Sequence, residues 1–364
     1  MAKALYIAAT GQNCGKTTTS IGLMHLALKK YGRVGFIKPL GPKPTMYHRC
    51  TVDKDAALIA QVFDLEKELR WMSPVVVHPD TTRRVVDGEI SPLDFHERIL
   101  RAYTELEKRC DFIIIEGSGH AGVGSVMKTS NARVAQILNA PVLMVTGGGL
   151  GNVVDKIYMG LALFEKEGVE VRAVLANKIM PDKRDRTLDY LSRALSDEDM
   201  TVIGGVDYYP VLADPTLRRV SKLLNLPLFG NKREMSRIIH HVQICAASTQ
   251  RVTELISDAS LLIVTSSRDE LLVTLANLYK IPEYRSRIVG LVIPGVAPVS
   301  TITQMILDRS NIPYMRAQKH TTAQLYRVIT EDVSKITAAD TEKLKLVRSL
   351  AETYIDFDLI DRLF

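Results

Sequence analysis

"ALYIAATGQNCGKTTTS", Ala4 to Ser20, carries the reading of this chain. An apolar run of strand length turns through Gly11 and Gly15 straight into the helical pattern "KTTTSIGLMHLALKK". A strand that turns through glycines into a helix start leaves backbone N–H groups unpaired at the positive end of the helix dipole, a setting that suits a polyphosphate. The common form of this loop has four residues between its glycines; here Gln12, Asn13 and Cys14 make three. In that geometry Gly11, Gln12, Asn13, Cys14, Gly15 and Thr18 cradle phosphate. Lys16 reaches the terminal phosphates and the Thr17 hydroxyl sits on a magnesium ion, so the expected ligands are ATP and Mg2+.

A nucleotide-bound metal also calls for carboxylates near the loop. "CDFIIIEGSGH" sets Glu116 at the end of an apolar run, followed by small residues that let backbone approach a ligand. Asp55 in "TVDKDAALIA", ahead of a helical pattern, is a second candidate, with an ordinary helix cap as its plainer reading. Lys38 closes the run "VGFIK". An unpaired buried ammonium is costly, so Lys38 is expected to point into the crevice at the carboxyl ends of the strands, where open α/β sheets bind ligands. Asn177 and Lys178 in "LANK" end a later strand and address either a base or solvent.

Continuous apolar runs at Leu5, Val34, Phe112, Val142, Ala173 and Val202 alternate with helical stretches, the mark of a parallel sheet between helix layers. "SPLDFHERILRAYTELEKR" starts with Ser91 as a candidate N-cap and places Phe95, Ile99, Tyr103 and Leu106 on one face. The fold class is α/β, a doubly wound and mostly parallel sheet in a first domain at 1–225, with a linker at 226–236. A second, smaller α/β domain at 237–364 has strands at Val242, Leu261, Arg287 and Ile312 and ends in an amphipathic helical segment.

Composition narrows the function classes. The chain has 364 residues, 46% hydrophobic and 24% charged, with a net charge of +6 spread over interleaved acids and bases, which describes a folded chain with a solvated surface. No basic stripe with interleaved aromatics is present, so nucleic acid is not an expected partner. The four cysteines are widely spaced without metal-ligand patterns and read as free thiols in a reducing compartment. The N-terminal apolar run is far shorter than the ~20 residues of a membrane span, so a cytoplasmic protein without membrane contact is expected. His120, after the glycine turn, reads either as a ligand contact of second rank or as a loop residue; adjacent His240 and His241 read as structural, and Arg184 and Arg186 as exposed loop residues.

Taken together, "TGQNCGKT", "GFIKPL", "VDKDAALI", "IIIEGSGH", "TSNARVA", "VTGGGLGNVVDKI" and "LANK" make the chain resemble the dethiobiotin synthetase-like branch of P-loop proteins. That branch includes the synthetase half of cobyrinic acid a,c-diamide synthase. The closer likeness is to the N-terminal region of long bacterial phosphate acetyltransferases, where such a domain is joined to a DRTGG domain. The resemblance implies that Lys16 and Thr17 bind phosphate and magnesium, that Asp55 and Glu116 complete the metal site, and that Asn177 lies near the adenine. It also implies that Lys38 faces the acceptor or the transferred phosphoryl group, making Lys16 and Lys38 the catalytic pair. In dethiobiotin synthetase ATP phosphorylates a carbamate, chemistry that rests on positioning and charge neutralisation.

The departures are specific. The loop is short, with Asn13 and Cys14 at its centre, and "VVVHPDTTRRVVDGEIS" lacks the diaminoacid-contacting pattern of a biotin-pathway enzyme. Gly11 stands where MinD-like relatives carry a lysine. The second domain is similar to the DRTGG module through "LLIVTSSRDELL" and the segment "IVGLVIPGVAPVSTITQMILDRSNIPYMRAQ", and the likeness implies a homodimer. Its eponymous residues are replaced, with Arg268 and Asp269 in "SSRDE". No acetyltransferase or glutaminase domain is expected in a chain of this length. Three readings stay open: an ATP-dependent synthetase or ligase that activates a small acidic substrate, a carboxylate or carbamate, by phosphoryl transfer; an ATP-sensing regulatory or interaction protein with little or no turnover; and a scaffold that binds no nucleotide.

Overall fold

In the computed structural model, which describes residues 2–332 and 335–364, the opening stretch forms the strand Lys3–Ala9 (β1) and the helix Lys16–Lys30 (α1). The other apolar runs become Val34–Ile37 (β2), Phe112–Glu116 (β3), Val142–Thr146 (β4), Val171–Ala176 (β5) and Thr201–Gly204 (β6). All six pair in parallel in the order β6-β5-β4-β1-β3-β2. Residues of β3 and β4 are buried on both faces, as continuous apolar strands require. The fold class is as expected: a doubly wound α/β domain, with a second α/β unit after it.

Strand order positions the site. The chain leaves β1 for β2 on one side, then crosses from β3 over β1 to β4 on the other, so the crevice at the carboxyl end of β1 is the switch point where α/β sheets bind ligands. The loop Gly11–Gly15 lies there. Register brings its companions alongside: Ile7 pairs with Glu116 and Ile37 with Ile115, so Glu116 and Lys38 end neighbouring strands. The helix Lys54–Val62 (α2) follows β2 through a short ribbon, Pro44–Tyr47 with Cys50–Asp53. Ser91 caps the helix Pro92–Glu107 by accepting from the Leu93 amide at 3.2 Å, and Phe95, Ile99, Tyr103 and Leu106 are buried.

The structure divides into two units, Met1–Tyr208 with Leu344–Phe364, and Tyr209–Lys343. This differs from the division expected at 226–236. Residues from Leu344 onward, expected with the second domain, pack on the first unit because their apolar face meets α1 and β3. The Phe357 and Phe112 rings lie 5.8 Å apart, and a Cβ on Gly22 would come within 2.9 Å of the Ala351 Cβ, so the glycine permits that approach. Lys3 Nζ donates to Asp361 Oδ1 at 2.9 Å, and Arg172 donates to the Leu363 carbonyl at 2.8 Å.

The second unit is a five-stranded sheet. Its strands are Leu228–Phe229 (β7), His241–Ile244 (β8), Ser260–Ile263 (β9), Ile288–Pro294 (β10) and Tyr314–Ala317 (β11), ordered β7-β11-β10-β9-β8, with β7 antiparallel. Leu271, Leu275 and Leu307 cover one face, and Leu217, Val220, Leu325 and Ile329 the other. Among the described residues no helix is long and apolar enough to cross a membrane. Phe357→Ala is expected to destabilise the first unit by about 3 kcal/mol, the low end for a large-to-small core change. An unchanged urea midpoint would refute the docking of the C-terminal helices.

Candidate functional site

The loop is held by its neighbours. Gly15, the N-cap of α1, has φ 98°, and a Cβ there would stand 2.2 Å from Asn177 Nδ2, so both conformation and space require glycine. Asn177 Nδ2 donates to the Cys14 carbonyl at 3.0 Å, and Lys178 Nζ to the Asn13 carbonyl at 2.7 Å. These contacts fix the loop ahead of α1, whose first-turn N–H groups have no partner within the helix and no side-chain cap. Asn177 is thus set against the phosphate loop itself. Lys16, first residue of α1, donates to the Gly119 carbonyl at 2.7 Å and to the Gly11 carbonyl at 3.2 Å, spanning the loops after β3 and β1. Burial lowers its pKa to about 8, against the opposing pull of Glu116.

Beside the loop lies a cluster of buried charges. Glu116, wholly buried, accepts from Thr17 Oγ1 at 3.2 Å and Lys38 Nζ at 2.8 Å on Oε1, and from Ser20 Oγ at 2.7 Å on Oε2. Lys38 Nζ also donates to the Gly117 carbonyl at 3.0 Å and stands 3.4 Å from Asp55 Oδ2. Burial by itself lowers the Lys38 pKa, but the Glu116, Asp55 and Asp53 carboxylates outweigh it and hold the residue charged. The expectation that Lys38 opens into the crevice is corrected: it is only 2% exposed, because two carboxylates and a carbonyl pair it where an unpaired ammonium would be expelled.

A family profile described as an AAA domain, AAA_26, matches residues 3–216. The chain belongs to this AAA_26 family. It is similar to the phosphate acetyltransferase of Synechocystis sp., 25% identical over 73% of this chain and 38% of that protein. The similarity to the phosphate acetyltransferase of Nitratidesulfovibrio vulgaris, at 22% identity, spans 98% of this chain and 51% of that enzyme. The ATP-dependent dethiobiotin synthetase BioD of Clostridium kluyveri is 28% identical over 50% of this chain and 77% of its own length. A cobyrinate a,c-diamide synthase is also among the relatives. The chain spans about half the length, or less, of the phosphate acetyltransferases it matches. Among solved structures, MinD of Aquifex aeolicus aligns with TM-score 0.37 at 13% identity, covering 58% of this chain and 84% of that one.

The first unit of this AAA_26 protein is thus a P-loop ATP-binding domain. Thr17, Asp55 and Glu116 present a hydroxyl and two carboxylates, the hard oxygen donors that suit Mg2+, and these are the residues that would hold the ion. Among the described residues no group of three or more His, Cys, Asp or Glu side chains marks a preformed metal centre. The donor set therefore fits an ion that takes its remaining oxygens from nucleotide phosphates and water, as Mg2+ does.

Three contributors escaped the sequence reading. Ser20 lies one turn beyond Lys16 and three residues beyond Thr17, a helical spacing that would have revealed it. Asp53, not Asp55, caps α2: its Oδ1 accepts from the Asp55 amide at 2.8 Å and its Oδ2 from the Lys43 amide at 3.1 Å. Burial and the neighbouring Asp55 raise its pKa despite Lys38. Asn131 uses both amide hydrogens, on the Ser118 and His120 carbonyls at 2.7 and 2.6 Å, and accepts from Tyr6 OH and the Ser118 amide. It thereby sets the loop whose Gly119 carbonyl receives Lys16. Nothing local in "TSNARVA" announced that role. Arg184 is tied to Asp207 at 2.5 Å and His240 to Asp214 at 2.6 Å; His120 is exposed.

Because the lowered pKa leaves Lys16 largely neutral above about pH 8, bound phosphate will draw a proton back onto it. ATP binding at about pH 9 is therefore expected to take up close to one proton, falling away as the pH drops well below 8. Calorimetry in buffers of different ionisation enthalpy measures the uptake, and Lys16→Met should abolish it.

Proposed function

We propose that this protein binds Mg-ATP at the Gly11–Thr18 loop and that occupancy of the site, rather than phosphoryl transfer to an acceptor, is its output. The observation that carries this reading is the placement of Lys38. A lysine that orients an acceptor must present its ammonium to the crevice, yet this one is spent on Glu116, Gly117 and Asp55. Similarity over 98% of the chain to a phosphate acetyltransferase supports a two-part module in which the P-loop unit receives nucleotide. The second unit, Tyr209–Lys343, is read as the DRTGG-like partner of that module, pairing with a second copy. Lys16 and Thr17 bind the terminal phosphates and metal, Asp55 and Glu116 complete the metal site, and Asn177 shapes the loop on its base side.

A second reading, ATP-dependent activation of a carboxylate or carbamate, is favoured by one observation: the similarity to the dethiobiotin synthetase covers 77% of that enzyme. In that case Lys16 would neutralise charge on the transferred phosphoryl group.

Titration with Mg-ATP, followed by measurement of phosphate release, separates the two. Wild-type protein is expected to bind, and Lys16→Ala to bind at least tenfold more weakly, in line with roughly 1.5–3 kcal/mol for a hydrogen bond to a charged group. Phosphate release at the level of Lys16→Ala supports the occupancy reading. Release that depends on Lys16 and rises when small carboxylic acids are added would establish the second. Wild-type protein that binds no nucleotide would sink both.

A further inference from the structure

We propose that Lys38 orders the filling of the metal site: its ammonium supplies the positive charge that the carboxylates would otherwise seek in a divalent cation, so the metal binds only together with nucleotide phosphates. The inference rests on the nucleotide reading above.

Charge count and rigidity govern how tightly oxygen ligands hold a divalent cation. Asp55 and Glu116 bring two negative charges, and Asp53, wholly buried, adds a third behind Asp55. Two carboxylates of this kind, with water completing the shell, would by themselves draw a divalent cation only weakly. Lys38 changes the balance. An ammonium has three donors, and Lys38 Nζ has three oxygen neighbours: Glu116 Oε1 at 2.8 Å, the Gly117 carbonyl at 3.0 Å and Asp55 Oδ2 at 3.4 Å. The same two carboxylates proposed for the metal are therefore bridged by one buried cation. Its stem leaves β2 among buried residues, which denies it an easy exit to solvent.

A divalent ion entering alone meets that ammonium at close range, where like-charge repulsion outweighs thermal energy even at an effective dielectric constant of about 20. Nucleotide phosphates, held by Lys16 and the loop amides, supply the missing negative charge and reverse the balance. Metal and nucleotide affinities are then coupled through Lys38, and by linkage each raises the other by the same factor. Thr17 and Ser20, which donate to Oε1 and Oε2 of Glu116 respectively, keep that carboxylate oriented for either cation.

The test reads Mn2+ by the loss of its free-ion paramagnetic resonance signal, in protein without nucleotide and with ADP. Wild-type protein is expected to bind Mn2+ at least tenfold more tightly with ADP than without. Lys38→Met is expected to bind Mn2+ without nucleotide at least tenfold more tightly than wild type, and to show a smaller gain from ADP. Since that substitution strips a counter-ion from buried carboxylates, Lys38→Met combined with Asp53→Asn is run beside it, folding being checked by circular dichroism. A folded Lys38 variant that binds Mn2+ alone no better than wild type overturns the proposal, as does wild-type protein that binds Mn2+ equally with and without ADP while it demonstrably binds ADP. Absence of any ADP or ATP binding overturns the nucleotide reading instead, and the Lys38 variants are then judged by their affinity for Mn2+ alone.

Discussion

The hydrogen-bonded ion pair of Glu116 and Lys38 is the constraint around which the nucleotide site is organised. Either charge alone in that position would cost several kcal/mol in lost solvation, and together they are tolerable because the geometry is close and the remaining oxygens are hydrogen-bonded. Sheet register creates the pair: Ile37 faces Ile115 on adjacent parallel strands, so the residues that follow them meet at the carboxyl edge. Thr17 and Ser20 from α1 and Asp55 from α2 then close on the same point. A shift of one residue in that register would turn one partner of the pair to the opposite face of the sheet.

The short phosphate loop is workable for a related reason. Three residues between glycines leave little slack, and the conformation depends on support from a strand that is distant in sequence. Asn177 and Lys178, leaving β5, take the carbonyls of Cys14 and Asn13, while Asn131 fixes the β3 loop on which Lys16 rests. Each support is a directed hydrogen bond to backbone, so the loop is shaped by the residues that follow β5 and by the segment after β3 as well as by its own glycines. That arrangement leaves the helix dipole and first-turn amides of α1 as the anion-binding element.

How much was legible follows from the range of each interaction. The strands, α1, the Ser91 cap and the order of motifs rest on local periodicity and turn chemistry, and they could be read directly. Glu116 is legible because a nucleotide-bound metal calls for a carboxylate at the end of an apolar run near the loop. Lys38 is marked by the cost of an unpaired buried ammonium, which points it to the crevice, whereas the fold supplies two carboxylates that pair it inside. Residues from Leu344 onward read from sequence as part of the neighbouring domain, because amphipathic periodicity says that a face is buried without saying against what.

The sequence by itself determined the class of fold, the phosphate-binding turn and the chemical types gathered near it, because these depend on patterns within a few tens of residues. Tertiary structure decided that Lys38 faces inward, that Asp53 rather than Asp55 caps its helix, that Asn131 governs the loop after Glu116, and that the C-terminal helices lie on the first unit. Two of those outcomes, at Lys38 and at the C-terminal helices, depend on partners far apart in sequence, 78 residues for Lys38 with Glu116 and 358 for Lys3 with Asp361. Pairing of that kind is set by strand order and register, not by local propensity.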